Sequence, residues 1–443
     1  MWVEGQTYSF PLCFLNHPST VPFPTISMSP LLKDQEIIVD VEELVYGGEG
    51  RACYNEQDVL IRRGVPGDRL RVRITGFKDT AARADIIEVI TPSDVRQVPI
   101  CPVFLDGCGG CQWLHMDYEA QLYWKGRMIA RIIQDYDTLS HVQVHQVMGM
   151  DDPFYYRNKM VVRMRGPKEA LRIGFQDNKK WVLNVYNKES GQCYIQHPMN
   201  NQLGRALAVS LTQQRRPLKS ATIRVSDEEE VSLDLEKKWR TDIASDLEGI
   251  GRQTPYVHYT IHDRRFRVTS PSFFQANTRQ TGVLVETVLN LLPKQPAKTA
   301  IDVYCGVGLF TLFLTDRFES VYGIEESKTA LEDARHNAET LHMSNVQFIY
   351  DKAENALPEI MQTVERADVI LVDPPRSGCH PDVLHAISQC RPGILVYISC
   401  NASTLARDLD ILHQNGMKTT DIRPVDMFPH TYHVECVARC EPG

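Results

Sequence analysis

The chain has 443 residues, 43% of them hydrophobic, which suits two or three domains with sizeable cores. No apolar run reaches the ~18 residues of a membrane helix, and the N-terminus lacks the basic-then-apolar order of a secretory leader. A cytoplasmic protein without a membrane partner is expected, its 12 cysteines serving as thiols, metal ligands or catalysts rather than disulfides. The net charge of -8 argues against indiscriminate nucleic-acid binding by the whole surface, but leaves room for a local basic groove.

Residues 1–30 carry many Pro and Ser without periodicity and are expected to form a poorly ordered leader. From Glu36 the pattern alternates and is β-branched. EIIVDVEELVY, DVLIRRGVPGDRLRVRITGF and RADIIEVI read as short strands broken by Gly and Pro turns. A small β-barrel of the oligonucleotide-binding kind over residues 31–92 fits this pattern. Residues 93–265 form a second unit. It opens on a loop rich in Cys, Pro and Gly, followed by an amphipathic helix at 117–134 that can pack on the last domain. The rest is β-rich, with an acidic stretch at 227–248 expected to be solvated. Between Arg157 and Lys180 lie eight Lys and Arg against only Glu169 and Asp177, beside Tyr155, Tyr156, Phe175 and Trp181. Cations next to stacking aromatics suit single-stranded nucleic acid, although a solvated strand face is the plainer reading.

Residues 266–443 change character. TAIDVYCGVGLFTLFL reads as a buried strand, a Gly-rich turn and a helix. ESVYGIEES, NVQFIYD, ADVILVDPPRSG and PGILVYISCNAS supply further strands, separated by helices. Such alternation predicts a Rossmann-like, doubly wound parallel sheet. Its ligands belong at the carboxyl ends of the strands.

Those strand ends carry the motifs. In DVYCGVG, Gly306 and Gly308 let backbone approach a ligand. Glu325 ends the next strand, where a carboxylate can take both hydroxyls of a ribose. The third glycine of a dinucleotide fingerprint is missing, which favours S-adenosylmethionine, a nucleoside without phosphate. DPPR fixes a rigid loop that presents Asp373. Cys400 follows at the next strand end, before a polar helix start that can stabilise a thiolate. Cys101, Cys108 and Cys111 form C-x(6)-C-G-G-C, a metal-binding pattern whose fourth ligand must come from elsewhere, with Cys193 the candidate. Four Cys suit zinc or a 4Fe–4S cluster, and the three-plus-one arrangement favours the cluster.

Together these pieces resemble the RNA uracil-5 methyltransferases of the RumA/TrmA type, over about residues 36–440. SCNASTLARDL, DPPRSG, MFPHTYHVECVA and FFQANTRQ carry the resemblance. CPVFLDGCGGCQWLHMDYEAQL is similar to the iron–sulfur segment of the members that act on 23S rRNA. The resemblance implies a TRAM domain at the N-terminus, Cys400 as nucleophile and Glu435 as base. It places Gln275, Tyr304, Glu325 and Asp373 on the cofactor, and Cys101, Cys108, Cys111 and Cys193 on a 4Fe–4S cluster. It implies methylation of carbon-5 of a uridine, in 23S rRNA rather than tRNA, by a monomer. Amino-group methylation and a non-catalytic iron–sulfur RNA-binding protein are the competing readings. Three departures stand out: a first cysteine spacing one residue longer than usual, Ala402 in place of a common proline, and Lys352 where an acidic or polar residue often meets adenine.

Overall fold

The computed structural model describes residues 30–443, apart from 167–169, 178, 187–190, 214–218, 236–246, 248 and 365. The expected leader and much of the acidic stretch lie outside the described residues.

The first sheet has six strands. In spatial order they are Glu36–Asp40, Arg69–Lys78, Ala81–Thr91, Gln57–Ile61, Gly50–Tyr54 and Glu43–Leu44. Alternation along Arg69–Lys78 puts Leu70, Val72 and Ile74 inside and arginines outside. The strand Gly50–Tyr54 escaped the sequence reading, since RACYN lacks a β-branched run.

The helix Tyr118–Gln134 is capped by Asp117, whose carboxylate accepts the Glu119 and Ala120 amides. Its Ile129 and Ile133 enter the core of the last unit, beside Leu405 and Leu409. The middle of the chain forms a five-stranded sheet. Its order is Arg252–Gln253, Glu230–Asp234, Ser220–Val225, Lys159–Arg165 and Arg172–Gly174. One face is covered by the helix Pro198–Gln213 through Leu203, Leu207 and Leu211. A hairpin, Tyr256–Ile261 with Arg264–Thr269, straddles the expected boundary at 265/266. Val257, Tyr259, Phe266 and Val268 bury its apolar face against Leu284, Phe310 and Phe313.

The last sheet has seven strands. Their order is Val346–Tyr350, Phe318–Glu325, Ala297–Val303, Val369–Val372, Ile394–Ser399, Glu435–Pro442 and Met417–Val425. The first five are parallel and the last two antiparallel. The sheet is therefore mixed, where alternation alone predicted a parallel one. The order in which strands are added reverses about Ala297–Val303, which has Phe318–Glu325 on one side and Val369–Val372 on the other, all three running parallel. Ligand crevices form at such a switch point. No described helix is long and apolar enough to cross a membrane.

Candidate active site

The turn after Ala297–Val303 is shaped by three left-handed residues. Tyr304 has φ 68°, Gly306 φ 56° and Gly308 φ 86°. A non-glycine residue in that region costs on the order of 1 kcal/mol or more, a strain that clusters at ligand sites. A Cβ on Gly306 would meet nothing within 4 Å, so this backbone faces open space. The Glu325 carboxylate is clamped here, accepting the Gly306 amide at 3.0 Å and the Ser327 amide at 2.6 Å. Burial pushes its pKa up, against those bonds. Tyr304 and Glu325 line a cavity of about 630 Å³, together with Lys352, Pro375, Ser377 and Arg407. That volume lies in the range of small-molecule sites.

Beneath the turn, Asp302 is fully buried. Thr311 donates to its Oδ2 at 2.5 Å, while Oδ1 has no partner. Burial lifts its pKa to about 7, helped by Asp373 and Glu325. Its orphaned oxygen is a buried polar atom that the protein itself leaves unmatched. Asp302 opens the DVYCGVG motif as an acid at a strand end, but the sequence reading gave it no role in the site.

Cys400 and Glu435 meet through sheet register. Ser399 pairs with Cys436 across antiparallel strands, and one step beyond this pair stand Cys400 and Glu435. Cys400 is half-buried. Its thiol pKa is pushed up to about 11, first by burial, then by Glu435 and Asp373, against Arg376. The helix Ala402–Gln414 begins just after it, yet burial outweighs that helix end. Glu435 is 3% exposed, so its carboxyl is not a solvated group. Burial raises its pKa well above the usual carboxylate range, Asp373 raises it further, and Arg376 opposes. Asp373 is raised too, by burial.

The loop after Asp373 is tied to the loop after Cys400. Asn401 Nδ2 and Thr404 Oγ1 both donate to the Arg376 carbonyl, at 3.0 and 3.3 Å. Asn401 Oδ1 accepts the hydroxyl of Tyr46 at 2.9 Å, so the N-terminal sheet reaches the site. Burial, Tyr432 and Cys400 push the Tyr46 pKa up to about 12. Sequence reasoning missed Tyr46 and Arg376. Arg376 stood inside the quoted DPPR, but nothing local marks Tyr46, which lies 355 positions from its partner.

A second cavity, of about 430 Å³, lies on the other side of Arg376. Cys101, Cys108, Cys111 and Cys193 all line it, with Lys159, Phe273, Arg376 and Phe428. Cys111 and Cys193 have raised pKa values, Cys193 to about 12, first through burial and then through the neighbouring cysteines. Four mutually repelling thiolates in a buried pocket fit a cationic metal group, which would stabilise their deprotonated forms. Gln275 lines neither cavity, although Phe274 and Ala276 on either side line the second. Its carbonyl accepts from Asn158 Nδ2 at 3.1 Å.

The architecture is that of a methyltransferase. The fold resembles the tRNA (uracil-54, C5)-methyltransferase of Pyrococcus abyssi in complex with S-adenosyl-L-homocysteine. The TM-score is 0.70 at 23% identity, covering 91% of this chain and 99% of that one. The tRNA (Uracil-5-)-methyltransferase family matches residues 250–440. An RNA methyltransferase of Bacillus cereus is 33% identical over 92% of this chain and 97% of its own length. One of Halalkalibacterium halodurans is 32% identical over 93% and 98%. The chain belongs to the RNA uracil-5 methyltransferase family and is an RNA methyltransferase.

Proposed function

We propose that this enzyme methylates carbon-5 of a uridine in 23S rRNA, using S-adenosylmethionine and a covalent bond from Cys400. The observation that carries the reading is the meeting of Cys400, Glu435, Asp373 and Arg376 within electrostatic range at the strand ends. The nucleoside cavity adjoins them through Pro375 and Ser377. In this reading Glu325 holds the ribose, Tyr304 and the Gly306 backbone shape the cofactor site, and Asp373 faces its reacting end, while Gln275, which lines neither cavity, is left without a cofactor contact. Bound S-adenosylmethionine supplies an electrophilic methyl group.

Carbon-5 of uracil is too weak a nucleophile to take that methyl unaided. Attack of the Cys400 thiolate on carbon-6 breaks the 5,6 double bond and delivers its electron pair to carbon-5 and the carbonyl oxygen. Carbon-5 then bonds to the methyl, whose bond to the sulfonium sulfur breaks with the electron pair staying on sulfur as a neutral thioether. Glu435 takes the remaining carbon-5 proton, the double bond re-forms, and the thiolate leaves. Arg376 acts on both Cys400 and Glu435, and it favours their ionised forms. Flipping the uridine out of a stack costs a few kcal/mol, less for an unpaired base.

The four cysteines are read as ligands of a 4Fe–4S cluster. A single zinc with ~2.3 Å bonds needs sulfurs about 3.8 Å apart. No three of these sulfurs lie mutually within 4.8 Å. The preference for a cluster rests on the three-plus-one cysteine pattern. The N-terminal sheet is read as a TRAM-like barrel that contributes Tyr46 to the site. The cysteine set, which resembles that of the members acting on 23S rRNA, favours rRNA over tRNA.

RNA carrying 5-fluorouridine at the target should trap the enzyme, because fluorine does not leave as a proton does. Peptide mapping should place the bond on Cys400, and Cys400→Ala should form no adduct. An adduct that survives denaturation in that variant would assign the nucleophile elsewhere.

A further inference from the structure

The central sheet has one covered face and one open face. Met160, Val162 and Met164 turn toward the helix Pro198–Gln213. Alternation sends Lys159, Val161, Arg163 and Arg165 to the opposite side, and Val161 is 41% exposed there. On the neighbouring edge strand, Arg172 stands directly across from Arg165, and both are exposed. Like charges at facing positions of an antiparallel ladder destabilise it. Among the described residues, no carboxylate forms an ion pair with Arg163, Arg165 or Arg172. The guanidinium of Arg165 lies 4.9 Å from the ring of Trp181, which is 52% exposed.

The N-terminal sheet is the reverse. Every arginine on its strands is already matched by a carboxylate, as in Arg69–Asp40, Arg71–Glu88 and Arg73–Glu36. A nucleic acid docking there would have to displace those partners. The open central face offers unneutralised charge and a stacking ring in a molecule whose net charge is -8. It also runs into the site. Lys159 and Val161 form part of the cavity whose wall includes Arg376 and Phe428.

We propose that single-stranded RNA flanking the target lies along this open face, with phosphates on Arg163, Arg165 and Arg172 and a base on Trp181. The N-terminal sheet is then not the principal RNA surface. The inference rests on the reading of the site as an RNA uridine methyltransferase.

The test compares the full-length protein with two triple variants. One carries Arg163→Gln, Arg165→Gln and Arg172→Gln. The other carries Arg69→Gln, Arg71→Gln and Arg73→Gln. The probe is a fluorescein-labelled single-stranded oligouridylate of about 20 nucleotides, titrated by anisotropy across roughly 50–300 mM salt. Each phosphate contact contributes about 0.7 to the salt slope on a single strand, so the central variant should lose about 2. That corresponds to about a hundredfold weaker binding at 0.1 M salt, if the contacts contribute nothing at 1 M. The N-terminal variant should keep the parent slope. Trp181→Ala should weaken binding without changing the slope. Calorimetric S-adenosylmethionine binding should stay intact in all of them, which separates loss of the surface from loss of the fold. If the central variant keeps the parent slope while the N-terminal variant loses it, the inference is overturned and the catalytic reading stands. If the slopes behave as expected but the parent methylates no RNA, the surface stands and the catalytic reading falls.

Discussion

Glu435 begins its strand with almost no exposed area, so its carboxyl must be matched or used. Arg376 is the cation that acts on it, and Asp373 the competing acid. A carboxyl held high by burial is a stronger base once it is ionised. Glu435→Gln should therefore still attack and methylate but fail to release product. A labelled methyl group should accumulate in the covalent protein–RNA band, and normal turnover without that band would reassign the proton acceptor. Cys400 has its own signature. With a thiol pKa near 11, its thiolate fraction falls about tenfold for each pH unit below that value. Adduct formation with fluorinated RNA should accordingly speed up by nearly tenfold per unit from pH 7 to 9. A flat profile would mean that bound ligands bring the thiol below neutrality. These two residues were legible because motifs mark them. Their mutual approach was not, since it follows from an antiparallel register that the sequence does not display. Tyr46 was invisible for a related reason: an aromatic in a turn of one sheet gives no local sign of bonding a loop in another.

At the scale of elements, the segment Asp426–Glu435 is held from outside its own sheet. Lys125 Nζ on the helix Tyr118–Gln134 donates to Asp426 Oδ1 at 2.6 Å and to the Phe428 carbonyl at 3.1 Å. Both charged side chains are fully buried. Tyr118 donates to the other Asp426 oxygen at 2.9 Å. Gln112 and Trp113, just after Cys111, both donate backbone amides to the His430 carbonyl at 3.0 Å. The cysteine loop and the approach to Glu435 are thus joined by hydrogen bonds. Removing one partner of a buried ion pair leaves a charge without compensation and costs about 3–5 kcal/mol. Lys125→Met should lose stability of that order in urea unfolding, and a loss near zero would show that water replaces the ammonium. The helix itself was readable from its period and its Asp117 cap. The buried lysine on it was not, because Lys at a helical position ordinarily reads as solvated. The strand Met417–Val425 went unread as well; it carries Thr, Asp, Arg and Pro, and only its place beside Glu435–Pro442 makes it a strand.

For the whole molecule, the N-terminal, central and last sheets meet near one loop pair, where Pro375 and Ser377 line the cavity that holds Tyr304 and Glu325, and Arg376 lines the cysteine cavity. The overall order of units follows from patterning, while their convergence depends on long-range contacts. If the cysteine cavity holds a 4Fe–4S cluster, protein purified without oxygen should be brown and contain about four irons per chain. A colourless protein with one zinc would refute that choice. The central claim is tested most directly by mapping 5-methyluridine in rRNA and tRNA from cells that lack this protein, complemented with either the parent or Cys400→Ala. Expected is a uridine in 23S rRNA that carries the methyl group only with the parent. A methyl group restored by Cys400→Ala, or no 5-methyluridine in any RNA that depends on the protein, would contradict it.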